Sequence, residues 1–212
     1  MIKTIIWDFN GTIIDDVDVA VKILNSILKE LEYNILIDKD TYKDLFTFPV
    51  IEYYKNVGID YNKHSFELVA NLYHKYYNKY MIQAKINKHF YTLVDYFKSL
   101  GYKNVIISAT REDILKKEIN NYELNDYFDE IYGINDIYAH SKKDIANNWN
   151  NTSKLAKYEK IYIGDTVHDY EVANLINSKP YIICSGHQSK KILENNNIKT
   201  YKDLMEVKAC LE

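Results

Sequence analysis

The sequence predicts an α/β fold, with a central parallel sheet, helices on both faces and an α-helical segment inserted after the first strand. Three observations predict it. Residues 2–7 form a short apolar run that ends at Asp8 in a polar loop containing Gly11. Residues 16–80 carry helical periodicity and no strand pattern. Beyond residue 100, short apolar runs alternate with helical stripes, the pattern of a parallel sheet with crossover helices.

Each element follows from its own residues. Asp15 or Asp16 is placed to cap a helix in which Val17, Ala20, Val21, Leu24, Ile27, Leu28 and Leu31 share one face. A shorter helix near residues 50–57 follows Pro49. A second long stripe runs through Phe66, Val69, Ala70, Tyr73, Tyr76, Tyr77 and Tyr80. Phe90, Leu93, Val94, Phe97 and Leu100 form a further stripe that stops at Gly101, a C-terminal helix signal. Strands are predicted at 104–109, 130–134, 160–164 and 181–184. Helices are predicted at 111–121, 141–151, 166–177 and 188–195. The chain thus divides into a core of residues 1–15 and 84–212 and a helical insertion of residues 16–83. Entering after the first strand, that insertion sits over the carboxyl ends of the strands, where open α/β sheets bind ligands.

Composition narrows the function classes. The 212 residues are 47% hydrophobic, enough for a substantial core. With Lys+Arg at 27 and Asp+Glu at 30, the net charge of -3 argues against bulk attraction to nucleic acid or anionic membrane. No apolar run approaches the roughly 20 residues of a membrane span. The first apolar stretch is too short for a signal peptide. Two cysteines, Cys184 and Cys210, make no disulfide framework. The expectation is a soluble, reduced, cytoplasmic protein, monomer or homodimer, whose partner is a small molecule.

Four chemistry-bearing segments lie at or near predicted strand ends: Asp8-Phe9-Asn10-Gly11-Thr12, Ser108-Ala109-Thr110, Lys142 opening a helix, and Gly164-Asp165-Thr166-Val167-His168-Asp169. Parallel strands bring such ends to one edge. Singly, each has a plainer explanation: a strand-end aspartate that caps a turn, a hydroxyl that satisfies backbone, a surface lysine, a capped helix start. Together and in this order they resemble the motifs of the haloacid dehalogenase superfamily of hydrolases, phosphoglycolate phosphatase-like branch, with a helical cap inserted after the first motif. The resemblance implies a Rossmann-like core and a phosphatase acting on a small phosphorylated metabolite. It casts Asp8 as nucleophile, forming an aspartyl-phosphate. Mg²⁺ would be held by Asp8, Asp165, Asp169 and the backbone carbonyl of Asn10. Phe9, Asn10, Gly11, Thr12, Ser108, Ala109 and Lys142 would surround the phosphoryl group, with Lys142 preferred to its neighbour Lys143. Lys142 adds positive charge where the transition state gathers negative charge.

The chain departs from that pattern at Asn10, where the family carries an aspartate as general acid and base. An amide donates a hydrogen bond but cannot deliver and recover a proton, a function typically worth roughly 10² to 10⁴ in rate. Three readings stay open: a phosphatase that is slow or draws on another acid, for which His64, His74 and tyrosines of the insertion are candidates; a phosphate-ester sensor; and a carbon–phosphorus hydrolase using Lys43 or Lys55 as a Schiff base. Segments 48–50 and 186–189 border the site or form a plain turn and helix cap. His168 is expected to face solvent or pack locally.

Overall fold

The computed structural model describes residues 2–134 and 142–212. The chain opens with β1 (Lys3–Trp7), a short β2 (Ile14–Asp15), and then four helices, α1 (Val17–Glu30), α2 (Lys39–Leu45), α3 (Val50–Val57) and α4 (Phe66–Tyr80). It returns through β3 (Lys85–Ile86) to α5 (Phe90–Ser99), β4 (Lys103–Arg111), α6 (Glu112–Asn121) and β5 (Glu130–Ile134). The remainder is α7 (Lys142–Thr152), β6 (Glu159–Gly164), α8 (Val167–Leu175), β7 (Lys179–Ile183), α9 (Lys190–Asn195), β8 (Thr200–Tyr201) and α10 (Leu204–Leu211).

The main sheet runs β5-β4-β1-β6-β7-β8, every pair parallel. Strand residues alternate between two apolar layers, as a sheet covered on both faces requires. In β1, Ile5 and Trp7 join the layer that holds Phe90, Phe97, Leu115, Leu204 and Val207, from α5, α6 and α10. Ile6 joins Ala146, Trp149, Val172 and Ala173, from α7 and α8. The anticipated α/β architecture is present.

The sequence misjudged some element ends. β4 continues through Ser108 to Arg111, so α6 begins at Glu112 and not at Arg111. The helix expected from 188 begins at Lys190, because the Ser189 side chain accepts from Ile192 N and caps it. α8 starts at Val167 for the same reason, with Thr166 as its cap. Of the helix predicted at 141–151, Ser141 lies outside the described residues, and α7 runs on to Thr152. The helical insertion enters and leaves through an antiparallel pair, Ile14 opposite Ile86 and Asp15 opposite Lys85. Among the described residues, no helix is long and apolar enough to cross a membrane.

Candidate active site

Register places the site. Trp7 is level with Ile106 of β4 and Ile163 of β6, so the residues just beyond these three adjacent strands share one edge. Asp8 and Asp165 are those residues for β1 and β6, and Ser108, two residues past Ile106 and still within β4, reaches the same edge. The Asp8 amide extends the ladder by one bond to Ile163 O, 2.9 Å, before the chain turns away. Asp8, Asp165 and Asp169 each offer a carboxylate oxygen, and these oxygens lie within 4.8 Å of one another.

Lys142 sits among them. Its Nζ donates to Asp8 Oδ1 and, at 2.5 Å, to Asp169 Oδ1. Lys143 points away and pairs with Glu171 at the surface, 2.9 Å. Helix α8 fixes Asp169 by a capping box. Asp169 Oδ2 accepts from Thr166 Oγ1 (2.6 Å) and from the amides of Thr166 (3.0 Å) and Asp165 (3.2 Å). Helix capping and site chemistry therefore coexist in one carboxylate: Oδ2 caps, and Oδ1 faces Lys142. Asp165 accepts from Thr12 Oγ1 (3.2 Å) and from the His187 amide (2.6 Å). The backbone passes so close that a Cβ at Gly11 or Gly186 would collide with the Asp165 carboxylate.

The electrostatics follow from this crowding. Burial, together with the Asp169 and Asp165 charges, raises Asp8 well above the usual carboxylate range despite Lys142. Burial acts the same way on Asp165, pushed up to about 6. For Asp169, burial is outweighed by the Lys142 charge and its hydrogen bonds, and the carboxyl is lowered. Lys142 is itself raised, because the charges of Asp169 and Asp8 overcome its desolvation.

Other anticipated residues are placed less directly. The Phe9 side chain is fully buried in the core cluster, so only its backbone is left to meet a ligand. Ser108 is buried, and its Oγ accepts from Thr110 N at 3.1 Å. Ala109 follows it, partly buried. Asn10 is locked on both sides of its amide: Nδ2 donates to Asp16 Oδ2, and Oδ1 accepts from Thr110 Oγ1, each at 2.8 Å.

Asp16 and His187 complete the arrangement, and sequence reasoning missed both roles. Asp16 occupies the N-cap position of α1, yet its side chain makes no capping bond. It accepts instead from Asn10 Nδ2, from Gly11 N (2.8 Å) and from His187 Nε2 (3.2 Å). His187 Nδ1 meets Tyr42 Oη at 2.8 Å. Burial opposes the charged imidazole, but the Asp16 carboxylate overcomes it and moves His187 up to about 9. Asp16 is correspondingly lowered: burial would raise it, and the His187 charge prevails. The usable signal for His187 was its position just past β7, which neighbours β6 and ends on the same edge.

Loop 184–189 also ties the insertion to the core. Lys43 Nζ donates to Cys184 O (2.8 Å), and Gln188 Nε2 to Phe46 O (2.8 Å). Gln188 Oε1 accepts from Val167 N (2.7 Å), and Ser189 N donates to Lys43 O (3.1 Å). Phe48 lies over His168, ring centroids 5.0 Å apart, so His168 packs locally. His74 is exposed. Lys55 is half exposed and paired with Glu52.

The sequence model described as haloacid dehalogenase-like hydrolase matches residues 5–183. The chain belongs to that family. A protein provisionally named pyrophosphatase PpaX, from Caldanaerobacter subterraneus subsp. tengcongensis, is 24% identical over 175 residues, covering 79% of this chain and 75% of that one. The haloacid dehalogenase-like family protein SP0104 from Streptococcus pneumoniae has a similar structure, with a TM-score of 0.84, 22% identity and coverage of 100% and 99% of the two chains. A structure described as a predicted phosphatase from Clostridium acetobutylicum superposes with a TM-score of 0.80 at 18% identity, covering 100% of this chain and 98% of that one.

Proposed function

We propose that this protein is a phosphatase that hydrolyses a small phosphate monoester, of about the size of phosphoglycolate, through an aspartyl-phosphate on Asp8. The carrying observation is the convergence of Asp8, Asp165 and Asp169 with Lys142 beyond the central strands. The names of the pyrophosphatase and phosphatase relatives point the same way.

The donor set fits Mg²⁺. Three buried carboxylates this close cannot all ionise without more positive charge than Lys142 supplies, and the raised Asp8 and Asp165 express that deficit. Hard oxygen donors suit a hard divalent cation. Asp8, Asp165, Asp169 and the Asn10 carbonyl would hold it. When bound, the ion neutralises phosphoryl charge and keeps Asp8 ionised.

In the reaction, Asp8 Oδ attacks phosphorus, the P–O bond to the leaving alcohol breaks, and water later releases phosphate from the acyl phosphate. Lys142 holds Asp8 in place and faces the phosphoryl oxygens. Ser108 and the backbone amides of Ala109 and of the nucleophile loop, Thr12 included, bind those oxygens, while the Thr12 hydroxyl stays on Asp165. Residues 16–83 act as a cap that excludes water, with Gln188 and His187 as its clasp on the core.

Asn10 cannot protonate the leaving alcohol, so turnover depends on the leaving group. The Schiff-base reading loses Lys55 to the surface, and Lys43 is engaged by the Cys184 carbonyl. The test is Mg²⁺-dependent hydrolysis of an aryl and an alkyl phosphate by wild type and Asp8→Asn. The proposal expects aryl cleavage that exceeds alkyl cleavage and vanishes in Asp8→Asn. Wild type inert on both while still binding phosphate would overturn it in favour of a sensor.

A further inference from the structure

Hydrolysis through an aspartyl-phosphate has two halves, and each makes its own demand on the space across phosphorus from Asp8. In the first, Asp8 Oδ bonds to phosphorus and the leaving oxygen departs on the far side. In the second, water enters from that same side, the P–O bond to Asp8 breaks, and the water gives up a proton. A good leaving group departs as an anion and needs no proton, so it relieves the first half alone. No choice of substrate relieves the second, because the phosphorylated protein is the same whatever loaded it.

The hydrogen bonds around Asn10 show what the water proton would meet. The Asp16 carboxylate takes donors on both oxygens, so the Asn10 amide nitrogen faces it and the amide oxygen faces Thr110. Asn10 Oδ1 already accepts the Thr110 hydroxyl at 2.8 Å, and an amide oxygen is no base at neutral pH. Asp16 is buried and accepts from Asn10 Nδ2 and Gly11 N, each at 2.8 Å, and from His187 Nε2 at 3.2 Å. His187 is buried too, and its other ring nitrogen meets Tyr42 Oη at 2.8 Å. Asp165 is held by Thr12 Oγ1 and the His187 amide. Asp169 is held by its capping box and by Lys142. Among the described residues hydrogen-bonded to the loop of Asp8 to Thr12, no carboxylate or imidazole is free to take a proton from water.

We propose that phosphorylated Asp8 is the long-lived state of this protein: aryl and acyl phosphates, whose leaving groups depart unprotonated, load it, and water unloads it slowly. This rests on the reading of Asp8 as the nucleophile of a phosphatase. An acyl phosphate suits the loading step well, since Asp8 then exchanges one carboxyl–phosphoryl bond for another, a carboxylate is released and no proton moves. The unloading step lacks what a general base supplies, typically roughly 10² to 10⁴ in rate.

The experiment mixes wild type in Mg²⁺ with excess 4-nitrophenyl phosphate and, separately, with acetyl phosphate. It follows release of nitrophenolate and the intact-protein mass after acid quench. The expected course is a burst of roughly one nitrophenolate per protein, then a steady rate at least about 100-fold slower. Most of the protein should then carry one added phosphoryl group, absent from Asp8→Asn. The two donors should share one kcat within about twofold, because unloading limits both. Asn10→Asp supplies an acceptor for the water proton and should lower the phosphorylated fraction by about tenfold or more. Should that variant fail to fold, phosphorylated wild type is freed of donor by gel filtration, and its decay rate should equal kcat. Turnover with no burst and with unmodified protein overturns the inference and leaves the phosphatase reading standing. Inertness to both donors overturns the phosphatase reading and the inference with it.

Discussion

Replacing Asn10 with aspartate restores the family's carboxylate, but the structure gives that substitution a cost that the motif alone does not. The Asn10 Nδ2 donates to Asp16 Oδ2 at 2.8 Å. Asn10→Asp puts a carboxylate oxygen in place of that donor, facing a carboxylate that His187 holds ionised. At an effective dielectric of about 20, two unit charges at this distance repel by roughly 6 kcal/mol. A proton shared between the two carboxylates relieves most of this, so the new carboxyl has its pKa raised in the folded state. The sign follows: for an acid whose folded pKa lies above its unfolded value, stability is retained below the unfolded pKa and lost as pH rises through the folded one. Asn10→Asp should therefore match wild type near pH 4 and fall behind it by about 2–4 kcal/mol at pH 8. Urea unfolding of both proteins across that range measures the difference. The same retained proton is what a general acid needs, so alkyl phosphate turnover should rise below neutral pH, by up to roughly 10². Equal stability of the two proteins at pH 8 would refute the Asn10–Asp16 contact as the reason for the amide.

Three further outcomes are expected. His187, raised to about 9, is stabilised in its charged form by Asp16, so its contribution is full below about pH 6.5 and is lost as pH rises through about 9. Wild type should lose on the order of 3 kcal/mol over that window, and His187→Gln should show a flatter profile in the same unfolding series. Lys142→Met removes the only cation seated between Asp8 and Asp169 among the described residues, and should cost about 3–5 kcal/mol in metal-free buffer, with much of the loss recovered by Mg²⁺. Mg²⁺ binding should release protons, because Asp8 and Asp165 are raised without it; calorimetry in buffers of different ionisation enthalpy reads the number released.

The sequence made the sheet and the acidic cluster legible because both are local. A strand of Ile and Trp ending at Asp8, and a Thr166–Asp169 capping box following Gly164, are patterns within a few residues that each fix one carboxylate at a strand end. Lys142 was separable from Lys143 only by resemblance, and burial against Asp8 explains the difference physically. What the sequence hid lies between distant segments. Asp16 looks like a helix cap at its own position, and its real partners include His187, far along the chain. Glu118 reads as one more charge on a helix, and its meaning comes from Tyr77 on the insertion. Pairing of this kind has no periodicity to betray it.

The most direct test of the central claim is to trap the covalent intermediate. Wild type mixed with an aryl phosphate and Mg²⁺ is quenched in acid within the first turnovers, digested and mapped by peptide mass spectrometry. The account predicts one labile phosphoryl group, on Asp8, absent from Asp8→Asn. A phosphoryl group on another residue, or undiminished turnover by Asp8→Asn, would contradict it.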